Sequence, residues 1–362
     1  MTIDAKPVVS SNNDWDPLEE VVVGVLEGAA YMPWDLALEA CTHADYLDDV
    51  SAHHLALEGK PRAPEQIAVV QRQLDGFLEI LESAGVTVRR PEPLDQARPF
   101  GSMDWTSAGG NAQANPRDAF LVVGDEIIEV PMAVRARYFE AMGYRALFHE
   151  YFRRGARWTA APRPRLGDDL YDPYWQRSND TYVTTEVEPV FDAADVTRLG
   201  RDLVMQRSQV SNRFGAEWLQ RHLGDTYRVH VVEFEDDDPL HIDTTFVPLC
   251  PGKVLVNPDR PIKALPTIFE GSDWEFLEAP RTTLPTSHPA FHAYAWYHLN
   301  VLMLDEKRVV VEAEEGPLLD ALVGWGFDPV PCSFRAAAMY YAGGFHCFTL
   351  DIRRRGALQS YF

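Results

Sequence analysis

The residues able to do chemistry in this chain are few and lie far apart in sequence. Cys347 sits in GGFHCFTLDIRRRG, between a glycine pair and three arginines. His241 and Asp243 sit two apart in HIDTTF, and Asp192 shares FDAAD with Asp195. A thiol is a strong nucleophile once ionised, and an imidazole exchanges protons near neutral pH. With carboxylates beside them, these are the parts for covalent attack with acid–base help. Each also has a plainer reading. A free cysteine is often a small buried apolar residue, a lone strand histidine a hydrogen-bonded structural group, and Asp192 a cap for a turn or helix. Recurrence at one place in successive units of the chain favours the chemical reading.

Those units emerge from the strand pattern. EEVVVGVLEG, RDAFLVVGDEIIEVP, GRDLVMQRSQVSN, PGKVLVNPDRP and DEKRVVVEAEEGP each run from charged or turn residues into a buried-looking strand. A second strand follows each: GVTVRRP, GARWTAAP, YRVHVVEF, WEFLEAP and GFDPVPCS. A third candidate closes each unit: FGSMDWTS, EPVFDAAD, PLHIDTTF, YHLNVLML and GFHCFTLDI. PEQIAVVQRQLDGFLEILESAG, NRFGAEWLQRHLG and PLLDALVGWG have helical spacing with glycine stops. About five strand–helix–strand–strand units imply a circular or solenoid architecture. In a circular repeat the closing strands converge on one axis. Side-chain alternation then puts His241 and Asp243 on one strand face, and Cys347 with Thr349 opposite His346.

The bulk composition sets limits. The chain has 362 residues, 46% of them hydrophobic, which suits two domains or one large repetitive domain. A formal net charge of -22 disfavours nucleic acid and anionic membrane as partners. The three arginines of RRRG therefore read as a solvated or ion-paired segment. The four cysteines form no C-x-x-C pair and have no zinc-finger spacing. MTIDAKPVVSSNNDWDP lacks the apolar stretch of a signal peptide, and no apolar run approaches the ~18 residues of a membrane span. A reduced, soluble, cytoplasmic protein is the expectation. PRPRLGDDLYDPYWQRSND reads as a long surface loop able to border a site.

PRDAFLVVGDEIIEVPMAVRARYFE, EPVFDAADVTRLGRDLVMQRSQVSN, HIDTTF, NPDRP, NVLMLDEKRVVVEA and GGFHCFTLDIRRRGALQSYF occur in this order between Pro116 and Phe362, within a match that covers most of the chain from Asp14. In these blocks the chain resembles the arginine-dependent amidinotransferases, the family of arginine:glycine and arginine:inosamine-phosphate amidinotransferases. The resemblance implies an α/β pentein fold, a five-unit propeller with pseudo-fivefold symmetry. It implies one domain over 1–362, with a flexible N-terminal segment over 1–14. It also implies a ping-pong reaction. Cys347 corresponds to the nucleophile that attacks the guanidino carbon of L-arginine. His241 corresponds to the general acid/base that protonates departing ornithine, and Asp192 to its carboxylate partner. Asp118 and Asp243 match guanidinium-binding positions, and Arg260 matches the arginine that grips the substrate carboxylate. These residue types suit a planar, cationic, five-donor guanidinium. No metal or organic cofactor is implied, and a homodimer is.

The departures concern the second substrate. Glycine-using members carry Asn-Pro-Met before the catalytic histidine; here the stretch is Asp238-Pro239-Leu240. A serine pair of those enzymes aligns with Ala293 and Tyr294. Glycine is therefore disfavoured as acceptor. Asp238 suits an acceptor with a second ammonium, such as lysine or another diamine, unless it belongs to an acidic surface turn. An aminocyclitol phosphate is a further alternative. Two rival readings share the fold: an arginine deiminase-like hydrolase, and a non-catalytic binding protein. Retention of Cys347, His241, Asp192, Asp118, Asp243 and Arg260 argues against the latter.

Overall fold

The computed structural model describes residues 6–177, 181–288, 291 and 295–362. Its centre is a ring of five three-stranded sheets with one connectivity. An inner strand runs antiparallel to a middle strand, and a crossover leads to a parallel outer strand. In the second sheet Phe120–Val123, Glu126–Glu129 and Arg157–Ala160 take these positions. Val196–Leu199, Asp202–Gln206 and Arg228–Val232 form the third sheet. Phe246–Cys250, Lys253–Val256 and Glu275–Glu278 form the fourth. Leu302–Met303, Arg308–Glu312 and Asp328–Cys332 form the fifth.

The first sheet closes the ring. Its inner strand, Thr349–Arg354, comes from the end of the chain and pairs with Leu18–Val23, which pairs in turn with Thr87–Arg89. The N-terminal segment read as flexible over 1–14 is packed in over its second half. Val9, Ser11 and Asn13 are buried, and Ser10, Ser11 and Asn13 bridge to Arg353, Gly124 and Leu199.

Burial grades outward. Four of the inner strands are buried along all or nearly all their length, and Leu302–Met303 is wholly buried. The outer strands are mostly half-exposed. The parallel crossovers require long connections, and helices supply four of them. Pro64–Ser83 shows why such a helix forms. Proline opens it at the first turn, Val70, Leu74, Phe77 and Leu81 fall on one face, and Gly85 follows its end with φ +82°. The fourth sheet's connection instead contains only the short turn Thr267–Phe269. Among the described residues, no helix is long and apolar enough to cross a membrane.

Two expectations about the strands need correction. RDAFLVVGDEIIEVP is a hairpin of two strands that turns at Gly124, where φ is +59°. FGSMDWTS forms only a small separate hairpin, Phe100–Gly101 with Thr106–Ser107. The later closing strands do not complete the sheet before them: those beginning at Val196, Phe246 and Leu302 pair with the strand after, and Thr349–Arg354 pairs with the first strand, Leu18–Val23. A continuous apolar run hides a two-residue turn, and antiparallel partners adjacent in sequence pair most readily.

Charge is buried beneath the ring's centre. Asp351 takes hydrogen bonds from Arg117 at 2.7 Å, Arg198 at 3.1 Å and Arg354 at 2.6 Å. Asp14 joins through Arg198. Burial opposes ionisation of Asp351, but the three guanidinium charges hold its carboxyl far below the usual range. Arg354 is thus a core residue, while Arg353 pairs with Glu19 and Glu20. Within RRRG, Arg353 and Arg354 are ion-paired and Arg355 is exposed.

Candidate active site

Each inner strand is entered through a tight turn, and the turns hold the polar residues. Asp118 lies in the single helical turn Pro116–Ala119. Asp192 precedes the 3-10 turn Ala193–Asp195, and His241 precedes Ile242–Thr244, which contains Asp243. Asn300 follows Tyr297–Leu299. Cys347 lies in a turn closed by Phe348 N–H to Gly344 O at 3.1 Å and Thr349 N–H to His346 O at 3.1 Å. Strand alternation therefore does not apply to these side chains. Cys347 Sγ and His346 Nδ1 reach the same atom, Asp243 Oδ2, at 3.4 and 2.8 Å. His241 has φ +51°, a strained value for a side chain other than glycine, and it sits at the point where the ring converges.

His241 is held between carboxylates. Its Nε2 lies 3.0 Å from Asp192 Oδ2, and its Nδ1 lies 3.6 Å from Asp118 Oδ1. Burial alone would lower its pKa. The Asp118 charge, hydrogen bonds to Asp192 and Cys347, and the Asp192 charge together raise it well above the ordinary histidine value. Burial and the Asp243 charge push the Cys347 thiol up to about 12, against its hydrogen bond to His241. Burial also raises Asp118. Burial acts on Asp243 in the same sense, but the hydrogen bond and charge of His346 outweigh it and lower that carboxyl. Cys347, Asp192, Asp118 and Asp243 are all buried. Among the described residues, Asp118 Oδ1, Asp192 Oδ1 and Asp243 Oδ1 are buried and have no hydrogen-bond partner. Buried carboxylate oxygens of this kind require hydrogen-bond donors.

Arg260 and Asp238 form an adjoining group. Arg260 Nε holds Asp236 Oδ2 at 2.9 Å, and Asp238 Oδ2 lies 3.8 Å from Arg177 Nη1. Asp238 is buried, whereas Glu235 and Asp237 of the same acidic stretch are exposed. Burial, with the hydrogen bond and charge of Asp236, raises Asp238 to about 7. Burial, with the charges of Asp192 and Asp238 among others, raises the Cys41 thiol well above its ordinary value, and burial with the Cys347 and Asp243 charges raises the Tyr297 hydroxyl. Ala293 and Tyr294 lie outside the described residues.

Sequence reasoning missed two residues at the centre. Arg137 donates to Asp118 Oδ2 at 2.7 Å, lies 3.8 Å from Asp192, and is held by Glu140 through two bonds of 2.7 Å. Nothing in its local pattern separates it from a surface arginine. Asn300 accepts the Cys347 N–H at 3.0 Å and donates to Cys347 Sγ at 3.2 Å. A signal existed here: Asp118, Asn300 and Cys347 each stand two residues before an inner strand. Among the described residues, no group of three or more His, Cys, Asp or Glu is arranged to hold a metal ion.

No protein-family model matches the chain. Individual proteins do. The chain is 48% identical over 361 residues to an L-arginine:L-lysine amidinotransferase of Pseudomonas savastanoi pv. phaseolicola, covering 98% of this chain and 96% of that one. The chain belongs to the arginine amidinotransferases. It is also 44% identical to the mitochondrial glycine amidinotransferase of Danio rerio, over 98% of this chain and 85% of the relative. An amidinotransferase of the saxitoxin biosynthetic pathway in Microseira wollei superposes with TM-score 0.91 at 47% identity, over 98% and 99% of the two chains. The inosamine-phosphate amidinotransferase of Streptomyces griseus gives 0.88 at 37%, with the same coverage. A dimethylarginine dimethylaminohydrolase at 13% identity and TM-score 0.56 shares the fold alone. This amidinotransferase therefore has the pentein fold that the five sheets display.

Proposed function

We propose that this amidinotransferase moves the amidino group of L-arginine to an amine through a covalent amidino-Cys347 intermediate. The observation that carries this reading is the meeting of Cys347 and His241 among three buried carboxylates with oxygens lacking partners. The guanidinium binds Asp118 and Asp243, its planar donors matching their oxygens. Its positive charge offsets the Asp243 field that disfavours the thiolate. His241 already carries its proton, so the thiol proton passes to solvent as the guanidinium binds, and Sγ attacks the guanidino carbon. The carbon–sulfur bond forms, the bond to arginine Nε breaks, and His241 protonates that nitrogen as ornithine leaves. Asp192 keeps the imidazolium charged and oriented. In the second half-reaction the acceptor amine attacks the amidino carbon and gives its surplus proton to His241. Sulfur leaves as thiolate. Covalent catalysis thus divides one hard substitution at a poor electrophile into two.

Arg260 grips the α-carboxylate of arginine in this reading. Lysine or another diamine is the acceptor class we favour. Two observations support it: the relative named for lysine, and the buried carboxylate of Asp238, 3.8 Å from Arg177. That carboxylate opposes a phosphate-bearing acceptor. We further propose a homodimer in the cytoplasm, where the four free thiols stay reduced.

The test is product analysis with L-arginine, with and without glycine, lysine, smaller diamines and an aminocyclitol phosphate. Ornithine formed only with an amine, together with a matching guanidino product, supports transfer and names the acceptor. Citrulline or ammonia formed without an amine makes water the acceptor and replaces this reading with hydrolysis.

A further inference from the structure

Four of the five inner-strand turns bring acid, base or nucleophile to the centre. The fifth brings an amide. Asn300 is buried, and three contacts bind it to the Cys347 turn. Its carbonyl accepts the Phe345 N–H at 3.1 Å, its Oδ1 accepts the Cys347 N–H at 3.0 Å, and its Nδ2 donates to Sγ at 3.2 Å. The backbone bond fixes the orientation of the amide. A main-chain N–H can only donate, so Oδ1 must face it and the NH2 must face sulfur. The fit is close: a Cβ on Gly344 would come within 2.7 Å of Asn300 Cβ and 2.8 Å of its Oδ1.

We propose that Asn300 is a catalytic residue whose side-chain amide stabilises the Cys347 thiolate, both before attack and as sulfur departs. This rests on Cys347 being the nucleophile. A neutral donor suits the task. It adds no charge to repel the incoming guanidinium, unlike a lysine, and it is already in place when charge develops on sulfur. Asp243, which also lies within hydrogen-bond distance of Sγ, disfavours the anion when no substrate is bound. Asn300 therefore works against that field during every turnover.

Asn300→Asp is a near-isosteric probe. It retains an oxygen for the Cys347 N–H and replaces the donor to sulfur with a carboxylate oxygen. Alkylation of Cys347 by iodoacetamide, followed across pH by peptide mass mapping, reads the thiolate directly. The expected result is a fall of about tenfold or more at fixed pH, with the whole profile displaced upward by one pH unit or more. kcat falls by about a hundredfold, while the arginine Kd stays within about threefold. Asn300→Ala, which buries no new charge, provides the same reading should the Asp variant not fold. A folded variant of either kind with the wild-type alkylation profile overturns the proposal. So does a wild-type Asn300 side-chain amide resonance, followed by selective 15N labelling, that fails to respond as Cys347 ionises. Mass analysis of wild-type enzyme incubated with arginine keeps the two readings separate. Absence of an amidino adduct on Cys347 defeats the nucleophile assignment itself; an adduct with an unchanged Asn300→Asp profile defeats only the role of Asn300.

Discussion

His241 Nε2 and Asp192 Oδ2 stand 3.0 Å apart, in turns that enter two successive inner strands. The carboxylate and the backbone together hold a strained, buried imidazole in its charged form. Asp192→Asn removes the charge and keeps the shape. Since Asp192 raises the His241 pKa, its loss lowers it, and the imidazolium needed to protonate ornithine disappears at lower pH. We expect kcat to fall by about 10²–10⁴ and the basic limb of its pH profile to move to lower pH, as steady-state rates across pH will show. An unmoved basic limb would contradict the pairing.

Asp243 has the opposite influence on sulfur. Its charge raises the Cys347 thiol, so Asp243→Asn should make the free thiol more acidic. Iodoacetamide should then alkylate Cys347 faster at pH 8, by about tenfold for each pH unit by which the thiol's titration moves down. Arginine turnover should nevertheless drop if Asp243 binds the guanidinium as proposed. A slower alkylation would show that Asp243 stabilises the thiolate.

The glycine pair before the nucleophile is needed for close approach. A Cβ on Gly343 would meet Asn115 Oδ1 at 2.6 Å and Cys347 Cβ at 3.0 Å, and one on Gly344 would press on Asn300. Gly344→Ala should cost about 1–3 kcal/mol in denaturant unfolding and lower kcat more than it raises KM for arginine. Wild-type kcat in this variant would mean that the turn shifts freely.

Asp238→Asn tests the acceptor. If Asp238 recognises a second ammonium, the variant loses kcat/KM for lysine by about tenfold or more and keeps ornithine release in the first half-reaction, measured in single turnovers with excess enzyme. Unchanged preference across the amine panel would remove Asp238 from the site.

Asp351 makes stability depend on acid. Its folded pKa is depressed, so its contribution is fully present above the unfolded carboxylate value of ~4 and is lost as pH falls below it. Asp351→Asn leaves Arg117, Arg198 and Arg354 buried around a neutral group. Urea unfolding at pH 7 should show a loss of about 3–5 kcal/mol. The difference from wild type should begin to shrink below pH 4, by about 1.4 kcal/mol for each further pH unit, as wild type loses its own advantage.

The chain's repeat, its helices and its buried strands are legible because apolar periodicity is local and burial enforces it. Pro64–Ser83 could be read from one face of four residues and a glycine stop. Cys347, His241 and the carboxylates could be singled out for another reason: their types are scarce and their blocks resemble one family. What the linear pattern could not contain is which groups meet. Cys347 and Asn300 are 47 residues apart, and His241 and Asp192 are 49 apart. Their contacts exist because the first and last strands pair and draw five turns to one centre. The same closure buries Arg137 against Asp118, raises the His241 pKa and turns Arg354 into a core residue. Distance and dielectric, not residue type, set those properties, and both arise only when the ring is complete.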